Sequence, residues 1–311
     1  MNKPTNINRR NFLKQSSLTS GGLLLSGCST ATLAPLVTHT TNALDLTIFA
    51  TNWGWHGTMD AFCKKAKEEG YDGVEIWTPR NEKDTDIFMN AVAKHDLKFG
   101  FLAGNWGETV QANLEVFESM LATAIALKPI FINCHSGKDH YSFADNQKFI
   151  EATEQRKSEG IPIYHEGHRS RMLFAAHITK TFLEKNPNLR LTLDISHWCV
   201  VAESLLQDQT ENVALALSRT DHIHSRVGFE EGPQVCEPRA PEFKKAVDAH
   251  FAWWDQVVEM KKQSGQPLTM TTEFGPPNYM WSLPYTKQPL ADLWEVNSHM
   301  MRLWRERYLN T

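Results

Sequence analysis

Apolar residues along this chain follow two rhythms, and the two alternate from Asp45 onward. Short, near-continuous apolar runs stand at 45–55, 71–80, 97–107, 128–139, 161–171, 188–198, 221–228 and 267–277. Between and after them, at 58–70, 84–96, 108–127, 144–159, 172–185, 202–217, 241–262 and 290–308, apolar residues recur at helical spacing. Gly70 closes the first of these helices, and acidic residues open the second, where they suit the helix dipole. Runs that are apolar at nearly every position belong to a parallel sheet covered on both faces. Eight strand–helix units in one chain predict a single-domain (β/α)8 TIM barrel over 45–311. An open doubly wound sheet is the runner-up, but its Gly-rich phosphate turn is missing. The βα unit is the only internal repeat, and no linker divides the chain.

Composition leaves this picture unchanged. Hydrophobic residues make up 41% of the 311, enough for one large core, and the net charge of -4 gives no reason to expect a nucleic-acid partner. The N-terminus is different. Arg9 and Arg10 precede Asn11, Phe12, Leu13 and Lys14, followed by a short apolar run and then Leu25–Cys28, "LSGC". The segment 1–28 resembles a twin-arginine export signal ending in a lipobox, although Asn8 replaces the usual Ser or Thr. Its apolar run is too short to span a bilayer, which takes about 20 residues. Residues 29–44, rich in Thr, Ser and Ala, read as a flexible tether. These features imply export by the twin-arginine route to the periplasm, with the membrane met only through a lipid on Cys28. Cys63, Cys134, Cys199 and Cys236 form no C-x-x-C pair and read as thiols of a large core rather than a disulfide framework.

The chemistry collects where a barrel keeps it, at the carboxyl ends of the strands. Strand two ends near Glu75 and strand four in His135; strand five ends in "YHEGHRSR", with His165, Glu166, His168 and Arg169. Strand six supplies Asp194 and His197, strand seven His222, His224 and Arg226, and strand eight Glu273. A single His or Glu at a strand end is ordinarily a hydrogen-bonded structural residue. Three carboxylates converging on one barrel mouth would repel one another, and a divalent cation removes that repulsion. Three carboxylates and an imidazole suit one ion of Mn, Mg or Co, with Zn left open.

The order Glu, Asp-x-x-His, His-x-His, Glu on strands five to eight, with "GYDGVEIW", "LDISHW", "HIHSR" and "TTEFGPP", resembles the xylose isomerase-like TIM barrels. That group includes sugar phosphate isomerases and epimerases, keto-sugar 3-epimerases, inosose dehydratases and endonuclease IV, and the likeness covers about 45–308. The resemblance implies one metal held by Glu166, Asp194, His224 and Glu273, with His224 favoured over His222. It makes Glu166 and Glu273 the acid/base pair and places His197 on the substrate or behind the metal. Arg226 would steady the oxyanion, and His135, Arg169, Glu75 and Trp106 would contact the substrate. Two features depart from the epimerase pattern: Arg226 follows His224 by only two residues, and an H-x-K-D motif is absent. The long loop "EEGPQVCEPRAPEF" after strand seven is placed to cap the site.

The implied reaction is metal-dependent isomerisation or epimerisation of a non-phosphorylated sugar or keto-sugar, through proton abstraction beside a carbonyl. The same deprotonation in a lyase would cleave 3-keto-glycosides by β-elimination. A non-catalytic exported sugar-binding protein is the third reading. An endonuclease is disfavoured, since it needs ligands for several zinc ions and a basic face. Homo-oligomerisation is left open.

Overall fold

The computed structural model describes residues 43–309. The export segment at 1–28, and all but the last two residues of the tether at 29–44, lie outside the described residues. Eight parallel strands close into a barrel in chain order: β1 (Leu46–Thr51), β2 (Gly73–Trp77), β3 (Lys98–Gly104), β4 (Ile132–His135), β5 (Ile163–Glu166), β6 (Leu191–Leu193), β7 (Thr220–His224) and β8 (Leu268–Thr272). The helices are α1 (Met59–Glu69), α2 (Glu82–Lys94), α3 (Val110–Ala126), α4 (Phe143–Glu154), α5 (Ala176–Lys185), α6 (Ser196–Ala202), α7 (Thr210–Ser218), α8 (Lys244–Ser264) and α9 (Leu293–Tyr308). The single (β/α)8 barrel read from the periodicity is the fold.

Three features of the chain set the helix boundaries. Thr58, Asn81, Thr109, Ser142 and Asp292 cap α1, α2, α3, α4 and α9, each side chain accepting from a backbone N–H of the first turn. Gly70 ends α1 at φ 102°, a left-handed value that glycine adopts without steric cost. Pro241 opens the segment at a first helical position, where its missing N–H costs nothing; 241–243 form a 3-10 turn that leads into α8 at Lys244.

The expectation differs most at strand six. The apolar run suggests a strand through Trp198 and a helix from Ala202, yet β6 stops at Leu193 and 196–202 form α6. The Asp194 carboxylate accepts from the Ser196 hydroxyl, and its carbonyl accepts from the His197 N–H at 3.4 Å. That local bonding turns the chain into a helix and beats the β-propensity of the apolar residues. Likewise, β5 stops at Glu166 rather than running to 171, and 172–175 precede α5 rather than forming its first turn.

Inside the barrel the side chains lie in layers. An aromatic floor packs Phe131 against Phe49 (5.2 Å between ring centres), His222 (4.2 Å) and Tyr164 (6.1 Å). Gly73 and Gly100 make room for it, since a Cβ on Gly100 would sit 2.3 Å from Phe131 Cζ. Above the floor lies a polar layer of Glu75, Asn133, His224 and Thr271, all buried. Above that is the mouth. Apolar residues on the outer strand faces pack against the helices, and Cys63, Cys134 and Cys199 are buried there as free thiols. No described helix is long and apolar enough to cross a membrane.

Candidate metal centre

Four consecutive strands deliver one group each to the mouth. Glu166 ends β5, Asp194 follows β6, His224 ends β7 and Glu273 follows β8. The four are buried, and each offers a ligand atom within 4.8 Å of the others. These are the four residues expected to hold the metal. The His224 ring is aimed by its two nitrogens. Its Nε2 faces Glu75 Oε2 at 3.1 Å, and its Nδ1 faces Glu273 Oε2 at 3.0 Å and Glu166 Oε2 at 3.5 Å. Glu166 Oε2 also accepts from Asn133 Nδ2 (2.6 Å) and His135 Nε2 (2.9 Å).

Three buried atoms here make no well-aligned hydrogen bond: Glu166 Oε1, and His224 Nδ1 and Glu273 Oε2, which face each other at 3.0 Å. Buried polar atoms left this way are rare because each costs the desolvation of a polar group. Three such atoms from β5, β7 and the end of β8, with the Asp194 carboxylate after β6 between them, fit a divalent cation. Asp194 is the most committed of the four: one oxygen accepts from Ser196 and the other from Arg226. A carboxylate oxygen has a second lone pair, so Asp194 can still serve.

The electrostatics describe the same crowding. Burial raises the Glu166 carboxyl, but His135 and His224 outweigh it and hold it well below its ordinary value. Burial pushes Asp194 up, Arg226 pulls it back, and the Glu273 and Glu166 carboxylates raise it again, to about 7. Burial lowers the His224 imidazole, yet Glu273, Glu75 and Glu166 lift it well above its usual range. Burial keeps His168 and His197 neutral, with neighbouring cations adding to the effect.

A cavity of about 470 Å³ opens over this group, walled by Trp53, Trp77, His135, His168, Arg171 and Glu273. Arg226 and Tyr279 line it as well, with the guanidinium 4.8 Å from the ring centre. The loop after β7 is tied to the segment after β8, the Gln234 side chain exchanging hydrogen bonds with the Gly275 backbone at 2.7 and 3.1 Å, but none of its residues lines the cavity it was expected to cap.

Several residues lie elsewhere than the sequence suggests. Glu75 does not end β2; it is the middle residue, opposite Gly100, and lies beneath the mouth. Its oxygens accept from His222, His224 and Thr271, so it backs His224 and has no face toward a substrate. His197 is fully buried, with Nε2 accepting from Arg226 Nη2 at 2.7 Å and its ring centre 3.8 Å from that of His168. It positions Arg226 and does not reach the cavity. Arg169 lies on the Tyr279 ring at 4.9 Å, outside the cavity wall, whereas Arg171 forms part of the wall. A turn at 168–171, with Ser170 at φ 64°, reverses the chain and breaks strand alternation, so counting along the sequence selects the wrong arginine. Trp106 packs on Trp77 (5.3 Å) under Arg80 (4.5 Å), and Trp77 is the wall residue. His135, Glu273 and Arg226 line the cavity, while Glu166 sits just behind His135. His222 belongs to the floor, its Nδ1 2.7 Å from Thr269 Oγ1.

No known family profile matches the chain. No curated protein matches it either. Solved structures do. A D-allulose 3-epimerase from Methylomonas sp. superposes with a TM-score of 0.56 at 15% identity, covering 86% of this chain and 100% of that one. The 3-keto-D-glucoside 4-epimerase of E. coli gives 0.55 at 14% identity, covering 84% and 99%. A family 2 AP endonuclease from Brucella melitensis gives 0.52 at 14% identity, covering 85% and 99%. The likeness establishes the (β/α)8 fold. Because the neighbours act on both sugars and nucleic acid, function has to be argued from the residues of this chain.

Proposed function

We propose that this protein is a metal-dependent isomerase or epimerase of a non-phosphorylated sugar or keto-sugar. The observation that carries the reading is the convergence of Glu166, Asp194, His224 and Glu273, with three buried atoms that make no well-aligned hydrogen bond, at the base of an aromatic-walled cavity. Of the two glutamates, Glu273 faces the cavity. It is placed to take a proton from a carbon next to a carbonyl. Arg226 lies 3.5 Å from Glu273 Oε2 and is anchored by Asp194, so its guanidinium can steady the negative charge that appears on the substrate oxygen. His135 lines the cavity and donates to Glu166, so these two form the acid/base group three strands round from Glu273. Trp53 and Trp77 supply flat apolar walls for a sugar ring and exclude water from the reacting carbon. A divalent cation held by the four ligands would polarise the carbonyl and make the neighbouring proton acidic. Export by the twin-arginine route, which carries folded proteins, supports a free sugar as substrate and a cation loaded before export.

The test is proton exchange with solvent. The Mn-loaded protein is incubated in deuterated water with free keto-hexoses and with 3-keto-glycosides, and deuterium at carbon is followed by NMR. Exchange with epimer formation is expected. Glu273→Gln and Glu166→Gln should each lower it by about 10²- to 10⁴-fold. Release of the aglycone without epimer formation would make the protein a lyase instead. Full exchange in both variants would end the proposal.

A further inference from the structure

Arg171 is a half-buried cation with two shielded N–H groups that have no partner. It lines the cavity, its Nε and Nη1 are shielded from solvent, and neither atom meets an acceptor among the described residues. Two other arginines of this barrel have their acid: buried Arg226 bonds Asp194, and half-buried Arg190 bonds Asp221 at 2.6 Å. The acidic groups that Arg171 feels, Glu166 and Asp139, act only at longer range. Asp139 turns to His140, at 3.1 Å, and Glu166 is taken by His135 and Asn133. The cavity's own carboxylate, Glu273, faces His224 and Arg226. Nor is Arg171 loose. Its backbone N–H donates to His168 O, and that of Met172 to Ser136 O, both at 3.0 Å, which ties the turn to β4. A guanidinium stays protonated, and its burial without an anion is costly. A ligand that enters the cavity can supply that anion.

We infer that the ligand of this cavity is a carboxylate-bearing sugar, of the uronate or sugar-acid class, and that Arg171 selects it. The inference rests on the reading above for what is done to the sugar, but not for what is bound. One unpaired guanidinium matches one planar monoanion, which it can take through paired N–H donors. A phosphate ester shares the oxyanion chemistry but brings nearly two charges, so it serves as the comparison. The neighbouring imidazoles of His135 and His168 add polar contacts without adding negative charge to that wall.

The experiment is calorimetric binding to the full-length protein, with Mn and again with chelator. The probes are glucuronate, glucose and glucose 6-phosphate. Glucuronate should bind at least about tenfold tighter than glucose. Arg171→Met should weaken glucuronate by about thirtyfold or more, and so erase its preference over glucose, with Mn affinity as in the parent protein. Arg171→Lys keeps the charge but loses the fork, so it should fall between the two and serves if the Met variant does not fold. Equal binding of glucuronate and glucose, or a preference that survives Arg171→Met, would overturn the inference, as would tighter binding of the phosphate. The binding arm is independent of turnover. A protein that selects glucuronate through Arg171 but exchanges no proton keeps this inference and loses only the reaction assigned above.

Discussion

Glu75 shows how a residue remote from the substrate can determine what the site holds. Burial alone would keep its carboxyl protonated, but His224 and His222 reverse that and hold it ionised far below the usual range. An ionised Glu75 accepts the Nε2 proton of His224 and so fixes the ring with Nδ1 toward Glu166 and Glu273, where a bound cation would replace the Nδ1 proton. Glu75→Gln keeps the shape and loses the charge. Mn affinity measured by calorimetry should fall by about 10- to 100-fold, with the fold retained by circular dichroism. Affinity equal to the parent's would make Glu75 a space-filling residue. Residue-scale roles of this kind were only half legible in the sequence. The convergence of the four candidate ligands was, because each sits at or next to the end of its strand, where type and order are enough. Glu75, Arg169 and Trp106 were misplaced, because their roles depend on register and on a turn. One residue of slip exchanges barrel interior for exterior, and a left-handed Ser170 undoes any count of alternation.

The elements were legible where the pattern is long, as in α3, α8 and α9, and least so where a polar side chain competes with the backbone. At β6 the Asp194–Ser196 bond converts an apolar run into α6, and no hydrophobic period records that. Two predictions belong at this scale. Gly100 on β3 faces the floor ring of Phe131, so Gly100→Ala forces that aromatic layer apart. Its denaturant midpoint should drop by the equivalent of about 1–3 kcal/mol. An unchanged midpoint would mean that the floor yields freely. On α8, His250 is fully buried beside Trp253 and Trp254, donating to Ala246 O at 2.8 Å and accepting from Gly228 N at 3.2 Å. Burial lowers its imidazole from 6.5 to about 4. The unfolded chain therefore takes up the proton first. His250 contributes fully above pH 6.5, and its contribution fades as pH falls toward 4, by up to about 3 kcal/mol. Urea unfolding at pH 7.5 and 4.5 should show a smaller acid loss for His250→Gln than for the parent. Equal losses in the two proteins would count against it.

At the scale of the molecule, the barrel grades from an aromatic floor through a polar layer to a charged mouth, and each layer sets up the one above. Phe131 and Gly100 fix the floor, His222 and Thr271 hold Glu75, Glu75 aims His224, and His224 joins three carboxylates in a space that burial makes costly for them. Because a cation would bind the folded barrel and not the unfolded chain, it should also stabilise the fold. At a hundredfold excess over its dissociation constant, the gain is about 2.7 kcal/mol, and chelation should lower the melting temperature accordingly. The most direct test of the account is a calorimetric titration of Mn into the chelator-stripped protein. The account predicts one ion per chain, with binding lost in Asp194→Asn and in His224→Ala. No binding, or one ion bound as tightly in both variants as in the parent, would contradict it.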